Sequence, residues 1–202
     1  MDKILNNSLY KTWESHWINE KKMTLPGRIL TKARLKALKK IILSLSIQNA
    51  IDVGCGLGHL LQIFKDADIH YLGIDVSQKA VMTCKEKGLN AKIGKLEEEK
   101  SSYDLVASEG MLEHFLNFEP YVKDLIRISS LYILLMQPNH DSFMGRTLVY
   151  LARTVRGDKI VFEYNYRMKD YIEIFEKNGC VCIKNEPVFF DTSRLLLFKK
   201  NN

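Results

Sequence analysis

The sequence predicts a doubly wound α/β fold, a mostly parallel sheet with helices on both faces and a helical segment ahead of it. Three observations carry this. From Ala50 onward, short apolar runs alternate with helical stretches, the rhythm of βαβ units with right-handed crossovers. A glycine-rich loop, DVGCGLG, joins the first such run directly to the first helix, the place where open α/β sheets receive ligands. The last two runs are joined by Asp191-Thr192-Ser193 alone, a link too short for a crossover, so an antiparallel hairpin closes the sheet edge.

The elements follow in order. Leu9, Trp13, Trp17 and Ile18 fall at helical spacing. Pro26-Gly27 reads as a break, and Ile29 to Leu45 as a long amphipathic helix. Ala50–Val53 is a strand and Leu57–Lys65 a helix; His70–Ile74 is a strand and Gln78–Lys87 a helix. Ala91–Ile93 is a weak strand, Tyr103–Ala107 a strong one, and Tyr121–Ile128 is helical. Leu131–Met136 shows no polar alternation, which marks a strand buried on both faces. Thr147–Val155 is a helix candidate, Lys169–Asn178 a helix that Gly179 can cap, and Cys180–Phe190 and Arg194–Lys199 are the terminal strands. Residues 1–48 thus form a helical cap and residues 49–202 the sheet domain.

Composition sets the class. The 202 residues are 46% hydrophobic and 27% charged, which argues for one globular domain and against disorder. The net charge of +6 is unevenly spread: residues 1–50 hold ten Lys/Arg against three Asp/Glu, or +7, and residues 51–202 hold twenty against twenty-one, or −1. Such a basic segment suits an anionic partner (nucleic acid, membrane surface or acidic ligand) or is a solvated helix face. Four cysteines without CxxC or zinc-ligand spacing make no disulfide framework; Cys180 and Cys182 share a strand face as core packing. With no apolar leader in MDKILNNSLYKTW and no run of membrane-spanning length, a cytoplasmic protein is expected.

The loop's spacing separates two ligand classes. A dinucleotide fingerprint, G-x-G-x-x-G, started at Gly54 would need glycine at position 59, which is His59. The pattern here is G-x-G-x-G (Gly54, Gly56, Gly58), with Asp52 before it and Asp75 ending the next strand. A carboxylate at that second point can accept both hydroxyls of a ribose.

On these residues the chain resembles the class I S-adenosylmethionine-dependent methyltransferases, most closely the small-molecule group that includes quinone-biosynthesis enzymes. The blocks AIDVGCGLG (50–58), YLGIDVS (71–77) and YDLVASEGMLEH (103–114) carry the likeness, which spans roughly residues 28–200. The resemblance implies a Rossmann-like seven-stranded sheet of order 3-2-1-4-5-7-6 with strand 7 antiparallel. It implies S-adenosylmethionine as cofactor, S-adenosylhomocysteine as its product, and no metal. Asp52, Gly54, Cys55 and Gly56 then lie under the methionine part, Asp75 at the ribose and Val76 at the adenine. Lys95 stands where the family commonly has an Asp toward the adenine amine, and Leu96 supplies an amide and an apolar wall. Ser108 and Glu109 match main-chain positions near the cofactor's amino group. Some quinone-type relatives grip the cofactor's carboxylate with an arginine at the spacing of Arg34, whose planar fork suits the task; otherwise Arg34 is one solvated cation among lysines.

Methyl transfer needs alignment and sometimes removal of a proton. His114, just past the fourth strand, is the first base candidate and His140, in QPNH, the second; either also reads as a structural histidine. His59 packs or solvates. No [DNS]-P-P-[YF] follows the fourth strand and no Pro-Cys pair exists, which argues against exocyclic base amines and cytosine C5 as acceptors. No acidic cluster resembles a catechol-type magnesium site. Tyr10, Trp13 and Trp17 form a lid or plain core. Arg146, Arg153 and Arg156, beside Leu148, Val149, Leu151, Ala152 and Val155, face a lipid-like or anionic substrate or cap the fold. The expected acceptor is a small molecule. RNA or protein methylation and a catalytically inactive cofactor-binding module remain the alternatives, and the oligomeric state is not readable.

Overall fold

The computed structural model describes residues 13–18, 25–147 and 163–201. Helical residues 13–18 form α1, followed by α2 (Leu25–Ile42), β1 (Asn49–Val53), α3 (His59–Asp66), β2 (His70–Asp75), α4 (Gln78–Glu86) and β3 (Ala91–Ile93). Then come β4 (Tyr103–Glu109), α5 (Glu119–Ile128) and β5 (Ser129–Pro138), the helical residues 143–147 (α6), α7 (Met168–Lys177), β6 (Cys180–Val188) and β7 (Ser193–Lys200). The seven strands lie in the order β3-β2-β1-β4-β5-β7-β6. All pairings are parallel except those of β7, which runs antiparallel to both β5 and β6. The order and the odd strand are those the resemblance implies.

Strand β5 shows why apolar runs here lack alternation. Ile133 and Leu135 enter the layer beneath α5 and α7, while Leu134 and Met136 enter the layer beneath α2 and α3. A strand with two covered faces must be apolar at every position. Phe175 of α7 stacks on Phe198 of β7 with ring centroids 4.2 Å apart, and Leu38, Ile41 and Ile42 of α2 close the opposite layer. Burying each such side chain stabilises by about 1.5–3 kcal/mol.

Four boundaries differ from the sequence reading. Pro26-Gly27 does not break the chain: α2 begins at Leu25, because Pro in a first helical turn removes an N–H that would have no partner anyway. Strand β5 extends to Ser129, and Leu131, near its start, is 36% exposed, so full burial begins at Ile133. The β6–β7 turn spans residues 189–192, with Ser193 already in β7. Helix α3 starts two residues late, at His59, because Gly58 is left-handed (φ 79°). Of the 147–155 helix candidate only Thr147 lies within the described residues; Tyr10, Arg153, Arg156 and the apolar residues between 148 and 155 lie outside them. No helix among the described residues is long and apolar enough to cross a membrane.

Candidate active site

Parallel pairing aligns the C-terminal ends of β1, β2 and β4: Asp52 sits level with Gly73 on one side and Ala107 on the other. The loop after β1 curls back over this edge. The amides of Gly54 and Cys55 both donate to the Ile74 carbonyl, at 2.9 and 3.1 Å. Gly56 requires glycine twice over. Its φ is +48°, and a Cβ there would lie 2.9 Å from the Trp17 ring. Asp75 pins the loop to β2, its Oδ2 accepting from the Gly56 amide (2.9 Å) and its Oδ1 from the Ser77 amide (2.8 Å). Ser77 then caps α4, its Oγ accepting from the Ala80 amide at 3.1 Å.

These elements surround a cavity of about 410 Å³. Of the ten sequence-assigned cofactor positions, nine line it: Arg34, Asp52, Gly54, Cys55, Gly56, Asp75, Val76, Leu96 and Glu109. Ser108 does not. Strand alternation turns its side chain into the sheet, where its Oγ donates to the Val53 carbonyl at 2.8 Å. Lys95 also lines the cavity. Helix α1 lies against it through Trp13, His16 and Trp17, held by Glu14, which accepts from Ser77 Oγ at 2.5 Å and from the Lys79 amide at 3.3 Å. The two tryptophans thus stand, half-buried, on the cavity wall.

Two lining residues carry buried polar atoms without a hydrogen-bond partner: Nε of Arg34, a donor, and Oδ1 of Asp52, an acceptor. A second Arg34 nitrogen pairs with the Glu109 carboxylate. A buried donor and a buried acceptor, each without a partner in one cavity, fit a ligand that offers both an acceptor and a donor.

Residues 51–130 match the family model described as a methyltransferase domain. Magnesium protoporphyrin IX methyltransferase from Synechocystis PCC 6803 with bound SAH superposes with a TM-score of 0.76 at 16% identity, over 100% of both chains. An S-adenosylmethionine-dependent methyltransferase from Clostridium acetobutylicum ATCC 824 superposes with a TM-score of 0.63 at 11% identity, over 84% of this chain and 91% of the other. The PH0226 protein from Pyrococcus horikoshii OT3 does so at 0.68 and 16%, over 85% and 91%. Among curated proteins, none matches the sequence. Residues 51–130 carry a methyltransferase domain, and the fold around it is that of the two methyltransferase structures.

In this methyltransferase domain, burial raises the pKa of Asp52 well above the usual carboxylate range, and the charges of Glu109 and Asp75 raise it further. Burial also raises Asp75, opposed by the amides of Ser77, Gly56 and Val76. Burial lowers His59, which lines the cavity at the start of α3. Sequence reasoning gave His59 no role, because nothing local shows that Gly58 turns the first helical residue toward the site. Met111, Phe115 and Tyr121 were missed likewise. His114 and His140 are both buried, and neither lines the cavity. The His114 ring packs edge-on against Trp13 at 4.7 Å. Behind the glycine loop the Cys55 and Cys84 thiols interact, which pushes Cys55 up and Cys84 down. All four cysteines are free. No group of three or more His, Cys, Asp or Glu among the described residues could hold a metal ion.

Proposed function

We propose that this methyltransferase domain moves the methyl group of S-adenosylmethionine onto a small-molecule acceptor. The observation that carries the reading is Asp75. Its carboxylate is fixed by two backbone amides on the wall of a cavity that also holds the glycine loop and the Arg34–Glu109 pair. Each Asp75 oxygen keeps a lone pair for a ribose hydroxyl. Arg34 would take the cofactor's carboxylate, and Asp52 with Glu109 its ammonium. Val76 and Leu96 would flank the adenine, and the bare backbone of Gly54, Cys55 and Gly56 the methionine chain. Bound S-adenosylmethionine supplies a methyl carbon activated by its sulfonium, so the protein's share is alignment and exclusion of water. Helix α1, latched by Glu14, serves the second purpose.

A small acceptor suits a site closed by two tryptophans and lined by Met111, Phe115 and Tyr121. It also agrees with the neighbour that acts on magnesium protoporphyrin IX. We keep His114 as a base candidate that reaches substrate only when Trp13 moves, and His140 as the second. Ser108 positions β4 against β1. Cytoplasmic location belongs to the same reading.

The test is thermal melting with S-adenosylhomocysteine. At a hundred times Kd a ligand bound only by the folded state adds about 2.7 kcal/mol. For a chain of this size that raises Tm by roughly 5–10 °C. No shift at millimolar ligand overturns the cofactor reading. Arg34→Met tests the carboxylate grip. It should weaken S-adenosylhomocysteine about 30-fold, the loss of a charge-assisted contact of about 2 kcal/mol. Adenosine, which has no carboxylate, should bind the variant and the parent alike by calorimetry; equal losses for both ligands refute the assignment.

A further inference from the structure

Helix α2 and the β6–β7 turn carry features the cofactor site does not use. Because β7 runs antiparallel to β5, its first residue, Ser193, pairs with Pro138 at the end of β5. The turn therefore lies on the same sheet edge as the glycine loop. Phe189, Phe190 and Asp191 in it are all left-handed, with φ of 45°, 54° and 62°. Three successive non-glycine residues there cost free energy, a cost found chiefly where a conformation serves a function. The product of this strain is Phe190, held out at 76% exposure. Asp191 accepts at its carbonyl from Ser142 Oγ at 2.7 Å. This ties the turn to the start of α6, where Phe143 is 74% and Met144 47% exposed. One hydrogen bond thus joins two segments that each hold apolar side chains in solvent, Phe190 on one and Phe143 with Met144 on the other.

Helix α2 begins on the same edge, its Gly27, Leu30 and Thr31 lining the cavity. Its outer face exposes Leu25 (70%) and Ile29 (49%), with Arg28 and Lys32 exposed beside them. The helix holds six Lys/Arg and no Asp/Glu. Protruding aromatic and aliphatic tips beside cations are the pattern of a surface that enters the headgroup layer of an anionic bilayer.

We propose that the cavity-bearing edge of the sheet docks on an anionic lipid surface, with Phe190, Phe143, Met144, Leu25 and Ile29 inserted and Arg28 and Lys32 at the headgroups. A second copy fits poorly, because a self-complementary interface here would bring together two acid-free helices. A nucleic acid would stack a base on Phe190 and pair with the cations, but it would leave the aliphatic tips of Leu25, Ile29 and Met144 in water. The inference does not depend on the methyl acceptor.

The experiment is co-sedimentation of the full chain with phosphatidylcholine vesicles, with and without phosphatidylglycerol. Binding should be stronger with phosphatidylglycerol and fall as salt rises. Phe190→Gly is the decisive variant. Glycine adopts φ near +54° without strain, so its Tm should not drop, while partition falls about tenfold through the lost apolar contact. Arg28→Glu with Lys32→Glu should remove the preference for phosphatidylglycerol. In both variants the S-adenosylhomocysteine shift should persist, which separates this proposal from the cofactor reading. Failure of the parent to sediment, Phe190→Gly partition within twofold of the parent, or loss of self-association rather than of vesicle binding overturns the proposal.

Discussion

Asp75→Asn should weaken S-adenosylhomocysteine at least a hundredfold. The carboxylate would give up two hydrogen bonds to ribose hydroxyls, each worth about 1.5–3 kcal/mol when one partner is charged. The same side chain also shapes the loop, because both of its oxygens accept from backbone amides. An asparagine has one oxygen, so one of the two amides, Gly56 or Ser77, must face an NH₂ group, donor against donor. If Gly56 loses its acceptor, the loop shifts under Trp17, whose ring leaves no room for even one added carbon at that position. The variant should still fold, because the neutral amide is cheaper to bury than Asp75, whose pKa burial has raised. The measurement is Kd by calorimetry, paired with circular dichroism. A folded variant with Kd within threefold of the parent would show that Asp75 holds the loop and does not touch the ribose.

The sheet and this half of the site were legible because both are written in backbone requirements. Three glycines in five residues, each now with positive φ, and an acid at the end of the next apolar run constrain where the chain can go. Alternation in β4 is a level that the sequence does not show. Ser108 and Glu109 are neighbours, so one side chain must leave the cavity, and nothing in SEG says which; the register of β4 on β1 sends the serine to the Val53 carbonyl. The β6–β7 turn begins two residues earlier and ends one residue earlier than the sequence reading, for a related reason. Phe189 and Phe190 give no local sign of left-handed geometry, which Gly or Asn would have advertised. Arg34 was legible as a cation at a telling spacing, but its partner Glu109 lies 75 residues on, and only the fold joins them. Glu113 was hidden most completely, because its environment is assembled from afar: its carbonyl accepts from the Tyr164 amide at 2.8 Å, and the Glu163 charge acts on its carboxyl.

That environment sets the second large effect. Glu113 is 2% exposed, and its Oε2 is buried without a hydrogen-bond partner. Burial pushes its pKa up to about 8, against a usual value of 4.5; the charges of Glu163 and Glu109 push the same way, while Arg34 and a backbone hydrogen bond pull it down. The folded protein therefore keeps a proton between pH 4.5 and about 8 that the unfolded chain has released. Where the folded state binds more protons, stability falls as pH rises. From pH 5 to 8 the loss from this one group is about 3 kcal/mol, or roughly 6–12 °C in Tm. Glu113→Gln keeps the shape of the neutral acid and cannot ionise. Its Tm should decline much less over that range and exceed the parent's at pH 8. Asp52 is also raised and contributes a slope of the same sign in both proteins, so the difference between the two Tm curves isolates Glu113. A difference that stays flat from pH 5 to 8 would mean the carboxyl is charged in the folded protein. A charged Glu113 would be a second carboxylate acting on Arg34 and would compete with a bound ligand's carboxylate for that guanidinium. A neutral Glu113 leaves Arg34 to Glu109 and the ligand.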